Sequence, residues 1–476
     1  MATARDQVEA YNFAVRRQIL ALLQGDDSVA VDPRRRLNRA LIGGALLAVV
    51  LLAAVGVAGL LSNSASATLP DNGVAVTSDG SVFVIVDHVV HPALNLASAE
   101  LVGGSSVTTV SSGALAKAPR GLPIGIPNAP DALPPASSLV TGRWTVCSTA
   151  PPASAARAQI VLSLGAPAPT PLPNRQGVVV QTGDGTTWLL DAGRRYAMSS
   201  TVSQLLQVDS QPVPLDEQVL DLVPEGPQLY VPKVPETGST ASLPFPAKVG
   251  DLVLVDYGSG TPGHYVVMSD GVAPVNAFTF ALLAGSAPDP TLHEPASDIV
   301  NHAASAGPDV PGAWPNQALQ LAPPPAGGSP LCFTYDPHGP QTGTTWTTTI
   351  SEPATAPVPA GAQPVSATSG TLPTVLTGVA VPPGRGALVR AAGTGGTDAV
   401  ITLVTDSGLR YSIASSDDAG KLGYAAASAV TVPLPFVDLL PAGPGLSSAV
   451  AAEEFAGGPS APVAPTPTDT VSAGGS

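Results

Sequence analysis

Asp221-Leu222-Val223-Pro224-Glu225-Gly226-Pro227-Gln228-Leu229 returns later in the chain as Asp438-Leu439-Leu440-Pro441-Ala442-Gly443-Pro444-Gly445-Leu446, with the Asp-Leu pair, both prolines, the glycine and the closing leucine in register. A stretch this rich in Pro and Gly belongs to a turn or a sheet edge, because proline lacks the N–H that a helix interior or a central strand requires. Chance is a poor explanation for its return, so the chain reads as internally repeated. Each copy follows a turn signal and strand-like segments: Gly183-Asp184-Gly185-Thr186-Thr187-Trp188 with Arg195-Tyr196-Ala197-Met198 in one, and Thr405-Asp406-Ser407-Gly408-Leu409-Arg410-Tyr411-Ser412-Ile413 in the other. Two weaker units surround Ser78-Asp79-Gly80-Ser81, leading to His91-Pro92, and Ser269-Asp270-Gly271, leading to Pro274. The Asp-Gly pairs suit tight turns between strands, and the spaced acids of a calcium loop are missing.

Composition agrees with short strands and turns. The 476 residues include 52 prolines and 49 glycines, only 4% aromatics, and 44% apolar residues. Ala40 to Leu61 is an uninterrupted apolar run of 22 residues, which as a helix would be roughly 33 Å long and would span a bilayer. Seven arginines (Arg5, Arg16, Arg17, Arg34, Arg35, Arg36 and Arg39) precede the run, and the first basic residue after it is Lys117. That asymmetry keeps the N-terminus in the cytoplasm. A cleaved signal fits worse. The run is too long for a signal core, and acids (Asp26, Asp27 and Asp32) separate Arg16-Arg17 from it, although Ala65-Ser66-Ala67 resembles a peptidase site.

The portion beyond the run holds 13 basic and 30 acidic residues, which argues against nucleic acid as a partner. Its two cysteines, Cys147 and Cys332, lie in the strand-like segments Arg143–Cys147 and Leu331–Tyr335. A lone pair of cysteines in an exported region reads as a disulfide. Before the run, Asp6 to Leu23 has the periodicity of an amphipathic helix, with Val8, Tyr11, Val15, Ile19 and Leu22 on one stripe and Arg16 and Arg17 beside it. A segment of 39 residues cannot bury that stripe in a core of its own, so the stripe and the two arginines are expected to dock on a partner or on the membrane surface.

Val90-His91-Pro92-Ala93-Leu94-Asn95-Leu96-Ala97-Ser98-Ala99, Gly125-Ile126-Pro127-Asn128-Ala129-Pro130 and the paired Leu-x-Pro-x-Gly-Pro motifs resemble EccB, the single-pass membrane component of type VII (ESX) secretion systems. Gln7 to Phe13 with Arg16-Arg17, and Asp32-Pro33 before the apolar run, fit the same pattern, and the likeness extends from about residue 5 to residue 455. The resemblance implies an α+β fold, mostly β: a cytoplasmic amphipathic helix, one transmembrane helix, and an elongated exported part. In that part, four small repeat units flank a disulfide-stapled central β domain. The implied division is 1–39 cytoplasmic, 40–61 transmembrane, repeats at 62–115, 171–232, 233–290 and 391–450, a central domain at 116–170 and 291–390, and a disordered Pro/Ala/Gly-rich tail at 451–476. The segments Asp289–Gln317 and Ala322–Gly328 depart most from the family pattern.

Members of that family are labelled ATPases, but no Walker-type loop is present here. Gly420-Lys421-Leu422-Gly423 lacks the hydroxyl residue after its lysine. His88 and His91 are three apart, and His293-Glu294 is half of a zinc-protease motif with Ser297 where the second histidine belongs. Asp216, Glu217 and Asp221 could pair as a glycosidase would, but spacing alone does not show it. No catalytic, cofactor or metal residues are therefore assigned. The reading is a structural and assembly protein of the inner membrane, with its bulk in the periplasm or cell-wall space. The implied partners are membrane components of the EccC, EccD and EccE types, a mycosin protease and inner-membrane lipid, with several copies per complex. An ATPase or wall-active enzyme of the same machine, and a cell-wall-binding protein, are the alternatives.

Overall fold

A computed structural model of the chain describes residues 4–24 and 69–455, apart from 152–156, 175, 207–211, 259–261, 288–289, 326–327, 340–345, 368–373 and 394–399. Two units are separate, Met1–Thr68 and Leu69–Ser476. In the first, one helix runs from Ala4 to Gln24 with Asp6 in its first turn, where a carboxylate meets the positive end of the helix dipole. No helix among the described residues is long and apolar enough to cross a membrane, and the run Ala40–Leu61 lies outside those residues.

The second unit is built from one pattern used four times. The first copy is a meander of β1 (Gly73–Val76), β2 (Val82–Val86) and β3 (Val89–Pro92), then a helix (Leu96–Gly103), then β4 (Val107–Thr109) returning parallel to β1. After β5 (Trp144–Thr149) and β6 (Gln159–Leu164), the second copy comprises β7 (Gln176–Gln181), β8 (Thr187–Asp191), β9 (Arg194–Ala197) and β10 (Val213–Pro214). The third comprises β11 (Leu252–Asp256), β12 (Gly263–Met268), β13 (Gly271–Pro274) and β14 (Leu292–Pro295). After β15 (Gln320–Leu321) come β16 (Leu331–Tyr335), β17 (Thr348–Ser351), β18 (Val365–Ser366) and β19 (Gly378–Ala380), and the last copy is β20 (Ala387–Ala392), β21 (Val400–Val404), β22 (Arg410–Ile413) and β23 (Val430–Pro433). All four copies have the order third-second-first-fourth strand.

The helix after each third strand starts where the sequence offers a cap: Asn95, Ser199, Asn276 and Ser415 each accept a hydrogen bond from the backbone N–H three residues on. Beyond the fourth strand the chain makes a short helix and then bridges back onto the third strand, as Val90–Arg120, Arg195–Glu225, Val272–Ala303 and Arg410–Ala442. The Pro-Gly motif is therefore a broken edge strand. The two Asp turns that look equivalent in sequence are not equivalent in the fold. Thr182–Thr186 joins the first and second strands of its copy, whereas Thr405–Leu409 joins the second and third of its own, so the two Asp turns occupy different hairpins. The strands after them do match, Arg195-Tyr196 with Arg410-Tyr411.

β15 pairs parallel to β7 of the second copy, and the other remaining strands form a six-stranded sheet in the order β17-β16-β5-β6-β19-β18. Its middle pairs Cys147 on β5 directly opposite Cys332 on β16, and the two are bonded with Cα atoms 4.0 Å apart across a sequence separation of 185. One face of this sheet, including Trp144, Leu162, Leu331 and Phe333, packs against Leu220, Leu222 and Val223 of the second copy and Phe436, Val437 and Leu440 of the last. The other copies pair off. The first shares a core with the last through Ala97, Leu101, Leu422 and Tyr424, and the third joins the second through Phe278, Leu282, Leu189 and Val202. Trp314, in the segment that departs from the family pattern, fills that second joint, its ring 4.9 Å from that of Tyr230 and 6.4 Å from that of Phe278. Residues 451–455, read as the start of a disordered tail, are instead held by the bridge of Glu454 to Ile124; residues 456–476 lie outside those described.

Candidate assembly surfaces

On the N-terminal helix, Val8, Tyr11, Ile19 and Leu22 are exposed, Val15 is half-buried, and Arg16 and Arg17 face solvent. Tyr11 is 71% and Leu22 86% exposed, so none of the described residues covers these parts of the apolar stripe. Phe13, Leu20 and Leu23 are exposed as well. Phe13 and Leu20 stand seven residues apart, which places both on one line of the helix away from the stripe. That spacing was available in the sequence as a second apolar line.

In the second unit, the recurring motif is explained by what each of its residues touches. A Cβ on Gly226 would lie 2.4 Å from the Tyr196 ring, one on Gly443 2.3 Å from the Tyr411 ring, and one on Gly121 2.2 Å from the His91 ring. The motif glycine is thus the socket for a ring on the neighbouring third strand. In the third copy the equivalent strand residue is Ala273, and Ala304 stands where the glycine would be. The motif aspartates recur for a second reason. Arg195 donates to Asp221 at 2.6 Å and to Glu225 at 3.3 Å and lies over the Trp188 ring at 5.2 Å, while Arg410 donates to Asp438 at 3.1 Å and to the carbonyl of Leu440 at 3.0 Å. The third copy has Val272 and Ile299 at those places, packed in an apolar core.

The two motif loops also dock on the central sheet in the same manner. Thr348 and Trp346 donate to the carbonyl of Leu222, at 2.5 and 2.9 Å, and Thr374 donates to that of Leu439 at 2.5 Å. Such bonds contribute about 1 kcal/mol each, whereas the buried Leu, Val and Phe side chains beside them contribute about 1.5–3 kcal/mol apiece, so apolar burial dominates the docking. A cavity of about 280 Å³ opens between the loops, lined by Gln218, Asp221, Arg410, Leu434, Asp438 and Leu439 among others. Its charged groups are already paired within their own copies, Asp221 with Arg195 and Asp438 with Arg410.

Residues 1–459 match the family described as "Type VII secretion system ESX-1, transport TM domain B". The chain belongs to the EccB family. Among EccB relatives, the ESX-3 secretion system ATPase EccB3 of Mycolicibacterium smegmatis is 28% identical over 473 residues, covering 93% of this chain and 89% of the relative. Among solved structures, a chain of the intact ESX-5 inner membrane complex is 25% identical with a TM-score of 0.67, covering 99% of this chain and 98% of that one. The EccB3 dimer of the ESX-3 core complex is 26% identical with a TM-score of 0.66, covering 80% of this chain and 99% of the other.

The residues weighed for chemistry are dispersed in this EccB chain. His88 is exposed near Asp71 at 3.7 Å, while the His91 Nδ1 meets the carbonyl of Leu122 at 3.0 Å. His293 and Glu294 lie on strand β14 rather than on a helix. Asp216 caps the helix Glu217–Leu220, accepting from the Gln218 N–H at 2.9 Å, and Asp221 is engaged by Arg195. Asp184 is held down to about 2 by the hydroxyl of Thr182 and the N–H and hydroxyl of Thr186, which marks a tightly bonded turn.

Proposed function

We propose that this chain is a structural component of a type VII secretion complex in the inner membrane, with the other membrane components of that complex as its partners. The observation that carries the reading is the likeness along 99% of the chain to a chain of the intact ESX-5 inner membrane complex. The likeness of 83% of it to a chain of the periplasmic assembly of that complex, at a TM-score of 0.65, supports an exported location for the repeated sheets. In finer detail, Ala40–Leu61 is the single membrane span, the N-terminus is cytoplasmic, and the helix from Ala4 docks on a neighbouring component through Val8, Tyr11, Val15, Ile19 and Leu22, with Arg16 and Arg17 meeting acids or anionic lipid. The four copies and the central sheet scaffold the assembly outside.

The enzymatic reading rests on the word ATPase in relatives' names. Lys421 ends a six-residue helix and is followed by Leu422, where a phosphate loop places Ser or Thr. The test is gentle detergent extraction with mass measurement of the assembly. The wild-type chain is expected in a complex far above its own mass. Tyr11→Asp with Val15→Asp is expected to release it while membrane insertion persists. A wild-type chain running alone overturns membership, and an unchanged complex from the double variant overturns the docking role.

A further inference from the structure

Each copy has two sheet edges, and the chain returning after the fourth strand bridges the one at the third strand. At the other edge the fourth strand lies parallel to the first. There the last residue of the first strand faces a proline in three copies: Gln181 faces Pro214, Asp256 faces Pro295 and Ala392 faces Pro433. In the first copy the same position is Thr109, opposite Val76. The Val110 N–H donates to the carbonyl of Val76 at 2.9 Å, and successive residues of a parallel ladder face its two sides alternately, so Thr108 also bonds toward β1. Val107 and Thr109 therefore turn their N–H and C=O groups away from the sheet. A proline at that position removes an outward N–H while leaving the ladder intact, which is one way an edge strand is protected from further pairing.

β4 lacks that protection. No strand or bridge among the described residues lies on its outer side, Val107 is 45% exposed, and Thr109 is exposed as well. The stretch Ser105-Ser106-Val107-Thr108-Thr109-Val110-Ser111-Ser112 has no proline, no glycine and no charge, and no ionisable residue lies anywhere between Glu100 and Lys117. Its centre is β-branched throughout, which favours an extended strand.

We propose that the β4 edge pairs with the β4 edge of a second molecule of this chain, joining the two first copies in one antiparallel sheet. Charge favours that occupant. The portion beyond Leu61 holds 13 basic and 30 acidic residues, so two such molecules repel each other, and an edge free of charge is where they meet without that cost. Symmetry favours it too, because a twofold axis relates two copies of one strand as antiparallel neighbours. The register that pairs every outward group sets Val107 of each molecule opposite Thr109 of the other, exchanging both hydrogen bonds, and leaves Thr108 facing its own counterpart on the axis. Cross-strand pairs of Val and Thr then close over the joint.

Directly opposed positions on antiparallel strands accept a disulfide, as Cys147 and Cys332 do here with Cα atoms 4.0 Å apart, and the two Thr108 positions would stand about 4.5 Å apart. The test is Thr108→Cys in the full-length protein, oxidised in isolated membranes. A product of twice the chain's mass is expected at about tenfold the yield from Val400→Cys, whose valine is 53% exposed on the last copy. Adding Thr109→Pro, the residue three sister copies already have there, is expected to lower that yield about tenfold while the denaturation midpoint holds. Should Thr109→Pro not fold, Val107→Lys sets like charges across the joint and is expected to lower the yield likewise. Equal yields from Thr108→Cys and Val400→Cys overturn the pairing, and so does a cross-link that survives the edge variant. A product of another mass gives the edge to a different protein and overturns the pairing of like with like.

Discussion

The glycine of the recurring motif shows how one missing methyl group organises this fold. Gly443 has no room for a Cβ, which would meet the Tyr411 ring at 2.3 Å. Gly443→Ala is therefore expected to cost about 1–3 kcal/mol, the usual range for overpacking. Chemical denaturation of the full chain reads it as a lower midpoint, and in a Tyr411→Ala background, itself destabilised by loss of a buried ring, Gly443→Ala should cost less. An unchanged midpoint in the single variant would mean that the ring yields freely. The third copy already has the paired solution, with Ala273 and Ala304 in the corresponding places. Both Gly443 and Tyr411 were visible in the sequence as recurring residues. Their contact was not, because they sit on a bridged pair of strands whose register no local pattern specifies.

Elements set by local chemistry were the most legible. The N-terminal helix follows from its apolar spacing, and the strands around Cys147 and Cys332 follow from their composition. The turns were harder. Thr182–Thr186 and Thr405–Leu409 share a chemistry and lie in different hairpins, since an Asp turn suits any tight reversal. The bond between β5 and β16 ties strands 185 residues apart in sequence, so its loss relaxes a long loop of the unfolded chain. Replacing both cysteines with Ser is expected to cost about 2–5 kcal/mol. Denaturation under oxidising conditions measures this against the wild type, and coincident curves would mean that the sheet holds the two strands unaided.

At the scale of the whole molecule, the proposed topology predicts that protease added outside spheroplasts removes almost everything beyond Leu61. A protected C-terminus would reverse the orientation, and a mature N-terminus near Thr68 would replace the anchor by a cleaved signal. Family, apolar run, charge asymmetry, disulfide partners and the existence of repeats are properties of residue identity and spacing, and the sequence by itself determined them. Which copies join was decided only in three dimensions. The first copy clasps the last, the second joins the third, and the second and last share the central sheet. Apolar burial drives those choices and is non-directional. Leu101, Phe278 and Phe436 announce in sequence that they will be buried, and only the closed shape of the packed sheets selects the surface that buries each one.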